Sequence, residues 1–365
     1  MLTQLQSLRA WAALGVMAFH LGASLAAPKY FGFSSVDCIT RFGYTGMFLF
    51  FVLSGFIIHQ IHSQDFGRPN RAWPYLAKRF FRIYPLYLVL FTLIAIIAKL
   101  IGIGDGGLPS GWLPLLKALL LLPQDPSIVG GTGAPLIIVA WSLQYELVFY
   151  GVILLFILDR RLGWVVVTAL VAAHFLFPRV GAPRLFPAFM EGKYFLFFAI
   201  GVSASLVAQT ELSLRTARSL WRGAQALFVV LWALSVALMF ATGGKLAIIA
   251  IPAGQIMLAL LSAVLILGAT EYERQGGPRA GALTRRLGDW SYGIYLLHFP
   301  VISVMSKLTT AADLQGGVGI LAVTVGSLVA TLTGAALLHR LIELPGMAIA
   351  RRSAKFPANQ LPGKS

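Results

Sequence analysis

The chain reads as an all-α, polytopic membrane protein, and three observations lead there. Of its 365 residues, 58% are apolar and only 12% are charged, about half the charge content of an ordinary soluble domain. Mean hydropathy is +0.80, and the apolar residues form unbroken runs of helix length, not the apolar–polar alternation of a β-barrel. The net charge of +16 is carried in the short connections between those runs, where topology signals belong. Its placement there removes nucleic acid as an expected partner. Cys38 is the sole cysteine, so no disulfide framework or cysteine metal cluster can form within one chain.

Runs of spanning length fall at about 7–26, 44–62, 83–101, 136–157, 162–178, 190–209, 223–242, 246–268, 289–307 and 318–340, which predicts about ten transmembrane helices. The run "GWLPLLKALLLLP" (111–123) is too short to span and is broken by Pro114. It reads as a re-entrant or interfacial segment. The "ASLAAP" stretch at 23–28 has the small residues of a signal-peptide cleavage region. The segment before it is nearly uncharged and His20 falls late in the apolar run, so the first run reads as a retained helix. With both termini in the cytoplasm, 20 of the 29 lysines and arginines lie on the cytoplasmic side and every cytoplasmic connection is basic. Residues 1–345 are expected to form one transmembrane domain, with 346–365 a basic, disordered cytoplasmic tail.

Polar side chains inside these runs need a reason. Arg9 and His20 lie eleven positions apart in the first run. At about 100° per residue they share one helix face, roughly 16 Å apart along the axis. Arg9 suits a snorkelling anchor at the cytoplasmic boundary, whereas His20 lies inside the membrane. There it either bonds a neighbouring helix or takes a proton as a general base. Glu146 sits near the middle of "WSLQYELVFY" (141–150). An ionised carboxylate there costs about 2.5–3.5 kcal/mol, so it must be protonated, paired or facing a wet cavity. Tyr150 is one turn away and within hydrogen-bond reach. Arg79 and Arg82 in "KRFFRIYPLY" (78–87) are three apart on one face, a pairing that fits phosphate recognition as well as topology.

Ser54-Gly55 in "FFVLSGFIIH" (50–59) fits close helix packing or a cavity wall. Ser291, Tyr292, Tyr295 and His298 form a polar stripe in the ninth run, suited to lining a cavity or to the interfacial aromatic belt. His20, Glu146 and His298 fall at comparable middle depths. Only His59 and His62 have close histidine spacing, and no metal site is expected. No HExxH, GxSxG, Walker A or GxGxxG pattern offers a rival site.

Six stretches occur in order along nearly the whole chain: "LRAWAALGVMAFH", "FFVLSGFIIH", "KRFFRIYPLY", "WSLQYELVFY", "SYGIYLLHFPV" and "LIELPG". Together they resemble the type-3 membrane acyltransferase family, and "WSLQYELVFY" is most similar to its exopolysaccharide-modifying branch in stand-alone form. The resemblance implies a bacterial inner-membrane O-acyltransferase. Such an enzyme moves an acyl group, usually acetyl, from cytoplasmic acyl-CoA to a hydroxyl of a cell-envelope saccharide or lipid-linked sugar. Acyl-CoA is then a co-substrate and no cofactor is held. On this resemblance His20 is the catalytic histidine and Arg9 its motif partner. Arg79 and Arg82 meet the CoA phosphates, and Glu146 takes the acidic position of the fourth-helix motif. Ser54, Tyr150, Tyr295 and His298 are expected to line the cavity or the acceptor site. One position departs from the pattern: many relatives read "GVDLFFVLSGF", and Phe48 stands here where they carry the acid. Two other readings of the same residues stay open. In one, the buried His and Glu form the proton relay of a transporter or lipid-linked-sugar flippase. In the other, the chain is a non-catalytic partner of a polysaccharide synthase.

Overall fold

The structure, a computed structural model, describes residues 2–101, 111–124, 132–134, 136–180, 193–210, 212–244 and 247–353. Among these residues there are fourteen α-helices and no strand. They are α1 (Thr3–Ala26), α2 (Ser34–Thr40), α3 (Thr45–His62), α4 (Ala72–Ile101), α5 (Trp112–Leu119), α6 (Trp141–Leu158), α7 (Arg160–Val180), α8 (Lys193–Val207), α9 (Leu214–Ala241), α10 (Pro252–Arg274), α11 (Ala282–Asp289), α12 (Ser291–Ala311), α13 (Gly316–Leu338) and α14 (Leu344–Ser353). Among the described residues, eight helical segments are long and apolar enough to cross a membrane. The chain is therefore an all-α polytopic membrane protein.

Two of the ten expected spans are not among those eight. The run at 162–178 is helical as α7. Of the run at 190–209, Lys193–Val207 forms α8, and 190–192 lie outside the described residues. The short run at 111–123 forms α5, eight residues long. Of the expected tail, 346–353 belongs to helix α14, and 354–365 lies outside the described residues. The chain packs as two compact units, 1–60 with 194–336 and 61–193 with 337–365.

In the first unit α1 is the central element, packed against α2, α10, α11 and α12. Leu2, the residue before α1, supplies no side-chain cap. The Glu273 carboxylate does so from α10, accepting from Thr3 N (2.9 Å), Thr3 Oγ1 (2.7 Å) and Gln4 N (2.8 Å). An acid at a helix N-terminus satisfies orphan amides and complements the dipole. One turn on, Gln6 Nε2 donates to Asp289 Oδ1 of α11 at 2.7 Å. Farther along, Met17, Leu21 and Leu25 bury against Ile302 of α12 and Val323 of α13. Small residues bring backbones together: a Cβ on Gly55 of α3 would lie 2.1 Å from the Phe198 carbonyl oxygen, and one on Gly201 of α8 2.1 Å from that of Val52.

In the second unit α4 runs 30 residues with Pro85 inside it, and packs against α6 and α14. Tyr87 and Tyr84 of α4 donate to the carbonyls of Ala118 (2.7 Å) and Leu120 (3.0 Å), which fixes α5. Asp159 ends α6 and starts α7, its Oδ1 accepting from Arg161 N at 2.6 Å. A π-helical turn, His339–Glu343, leads into α14.

Candidate active site

Two clusters of candidate side chains are built, one in each unit. In the first unit His20 and His298 meet, with ring centroids 5.2 Å apart. His20 projects from α1, which is unbroken from Arg9 through His20, so the shared face read from the spacing holds. Phe19 (4.8 Å) and Phe299 (5.1 Å) flank the His20 ring. His298 is fully buried, and its Nδ1 lies 3.1 Å from the Ile294 carbonyl. A carbonyl only accepts, so the hydrogen-bond network assigns the Nδ1–H tautomer. Nε2 then carries a lone pair, and it is buried with no hydrogen-bond partner. Tyr295 lies 5.8 Å from His298, and Phe50 lies 5.8 Å from Tyr295. A cavity of about 780 Å³ runs along other faces of α1, lined by Trp11, Gly15 and Ala18 with Phe228 and Trp232 of α9. His20 does not border it: Trp11 and His20 are about half a turn apart around the helix.

In the second unit Arg79, Glu146 and Tyr150 come together. The Tyr150 hydroxyl donates to Glu146 Oε1, the contact expected from their i, i+4 spacing. The Arg79 guanidinium lies over the Tyr150 ring (5.2 Å) and the Tyr75 ring (5.5 Å), and Tyr75 donates to the Tyr150 carbonyl at 3.0 Å. Arg79 Nη2 donates to His62 Nε2 at 3.0 Å, and His62 Nδ1 lies 2.9 Å from Asp65 Oδ2. Among the described residues Arg79 has no carboxylate ion-pair partner, and its buried Nε has no hydrogen-bond partner.

Arg82, one turn along α4, is held differently. Its Nη1 is 3.1 Å from Glu343 Oε2, and His339 Nδ1 is 3.5 Å from the same oxygen. The two arginines share a helix face, but one is ion-paired and the other is not. Ser54 sits half-buried in α3, next to Gly55, whose contact with α8 is described above. His20 meets His298 in one unit, and Glu146 meets Tyr150 beside Arg79 in the other.

Four residues of these clusters carried no assigned role in the sequence: His62, Asp65, Tyr75 and Glu343. His62 drew notice only as a metal-ligand spacing with His59. Its contact with Arg79 spans the turn between α3 and α4, and no helical periodicity crosses a turn. Glu343 was visible in "LIELPG", a carboxylate beside a span that needs a partner, though nothing in the spacing pointed to Arg82.

An all-α polytopic fold with two polar clusters among its described helices, one at His20 and His298 and one at Arg79 and Glu146, defines a membrane protein with polar side chains set into its spans. The chain belongs to the acyltransferase family resembled by its motifs: the acyltransferase-domain profile matches residues 2–340. It is 28% identical to the acyltransferase MdmB of Streptomyces mycarofaciens over 96% of this chain and 93% of that one. It is 30% identical to the exopolysaccharide production protein ExoZ of Rhizobium meliloti over 74% of this chain and 80% of that one. No solved structure matches. The chain is thus a membrane acyltransferase.

Proposed function

We propose that the protein is an O-acyltransferase of the bacterial inner membrane, with both termini cytoplasmic. In this account it moves an acetyl or other acyl group from cytoplasmic acyl-CoA to a hydroxyl of an envelope or exported saccharide, free or lipid-linked. The exopolysaccharide role in the name of one relative supports a saccharide acceptor. The distribution of basic residues supports the orientation.

The observation that carries the chemistry is the His20–His298 pair. His20 takes the proton of the acceptor hydroxyl, and the oxygen attacks the thioester carbonyl. The carbon–sulfur bond breaks, an ester forms, and the proton passes from His20 to the departing thiolate. The unpaired Nε2 of His298 accepts a hydrogen bond from a hydroxyl or from His20, which keeps the base aligned. Arg79, whose charge no described carboxylate neutralises, meets the CoA phosphates, with Arg82 beside it and directed by Glu343. Arg9 stands at the cytoplasmic end of the His20 face. Glu146 fixes Tyr150 beneath Arg79.

Reconstituted protein given labelled acetyl-CoA and a panel of envelope saccharides tests the reaction. Label should pass to an acceptor hydroxyl as a base-labile ester. Saccharide translocated without label would instead indicate transport.

A further inference from the structure

We infer that His62 and Asp65 are positioning residues that aim Arg79 while leaving its charge intact for an anionic ligand; this rests on the reading that Arg79 meets the phosphates of acyl-CoA. The contacts define one direction of donation. A guanidinium has no acceptor, so Arg79 Nη2 must donate to His62 Nε2 at 3.0 Å. Nε2 therefore carries the lone pair and Nδ1 the hydrogen, which His62 donates to Asp65 Oδ2 at 2.9 Å. His62 is 3% exposed, and the Tyr75 ring stands perpendicular to it at 4.9 Å, so the imidazole has little freedom to turn. Asp65 is itself braced by Arg71, whose Nε is 3.7 Å from Oδ1. Tyr75 and Tyr150 support the guanidinium from their ring faces.

Arg82 gives the contrast three residues on. A carboxylate, Glu343, fixes that guanidinium and neutralises it. A neutral imidazole does the first without the second. Arg79 keeps a full positive charge in a half-buried place, with an Nε–H that has no hydrogen-bond partner. Such a group is poised for a phosphate oxygen, whose charge-assisted hydrogen bond is strong when desolvated.

The test is the KM for acetyl-CoA, with kcat and thermal midpoint measured in parallel on the reconstituted enzyme. His62→Gln, which can still accept from Arg79 and donate to Asp65, should keep KM within about two-fold of wild type. His62→Glu, which holds the guanidinium but cancels its charge, should raise KM on the order of ten-fold with kcat and thermal midpoint little changed. His62→Leu should raise KM similarly, and should add nothing in an Arg79→Gln background. A wild-type KM in His62→Glu, or equal losses in the Gln and Glu variants, would overturn the positioning role, and these two decide the matter even if the Leu variant does not fold. Should Arg79→Gln itself leave KM for acetyl-CoA unchanged, the phosphate reading fails first. If Arg79→Gln raises KM while His62→Glu does not, only the inference about His62 falls.

Discussion

At the scale of single residues, what separates a functional polar group from a structural one is what remains unsatisfied. His59 is buried, and its Nδ1 meets Ser205 Oγ at 2.9 Å, a settled interhelical bond. His298 is equally buried, yet its Nε2 has no partner. A native structure rarely leaves a buried acceptor unpaired, and a substrate is a natural occupant. His298→Leu should therefore cost catalysis more than stability. kcat is expected to fall on the order of ten-fold, a hydrogen bond's worth of transition-state alignment, with the KM for acetyl-CoA unchanged in steady-state assays. Tyr150→Phe makes a complementary case: it removes the hydroxyl donated to Glu146 and keeps the ring under Arg79. Thermal unfolding should report a loss of about 1 kcal/mol, because the carboxylate is left without that donor. The i, i+4 spacing announced the Glu146–Tyr150 contact. Nothing local announced His62–Arg79, since the two residues lie on different helices around a turn.

At the scale of elements, contacts between glycines and backbone decide which helices touch. Gly55 and Gly201 are each tight against the facing backbone across α3 and α8, whereas a Cβ on Gly223 of α9 would meet nothing within 4 Å. Gly55→Ala should therefore push the helices apart and lower the thermal midpoint by the equivalent of about 1–3 kcal/mol. Gly223→Ala should be neutral or slightly stabilising, since alanine is the better helix former. The Arg82–Glu343 pair gives a second element-level expectation. Arg82→Leu strands a nearly buried carboxylate and should destabilise strongly, by about 3–5 kcal/mol. The double variant Arg82→Leu/Glu343→Leu should recover much of that loss in the same unfolding assay.

Helix existence was legible in the sequence because apolar runs of this length leave few alternatives. Ends and spans were less so. The polar Thr3–Gln6 turn joins α1 because Glu273, 270 positions away from Thr3, caps it. Of the run at 190–209, the described helix is Lys193–Val207, and 190–192 lie outside the described residues. The π turn at His339–Glu343 leads into a helix that packs on α4, where a Cβ on Gly346 would lie 3.3 Å from the Phe81 carbonyl oxygen.

At the scale of the whole molecule, family and fold were readable because six motifs occur in order, and the all-α class follows from apolar composition laid out in unbroken runs of helix length. Side-chain contacts were readable where they run along one helix, as between Glu146 and Tyr150. The His20–His298 contact was not, since equal depth along two helices says nothing about which helices pack together. The orientation makes a molecular prediction of its own. Cys38 is the only cysteine, so Cys38→Ser gives a background for single-cysteine labelling. A cysteine placed at Arg279 should react with a membrane-impermeant thiol reagent from the cytoplasmic side, and one at Asp313 from the opposite side. The reverse pattern would invert the topology. The central claim is that His20 performs acyl transfer, and its most direct test is the rate at which label moves from acetyl-CoA to acceptor in His20→Ala. The account predicts a fall of about 10²–10⁴-fold in protein with a wild-type thermal midpoint; a wild-type rate in that same protein would contradict it.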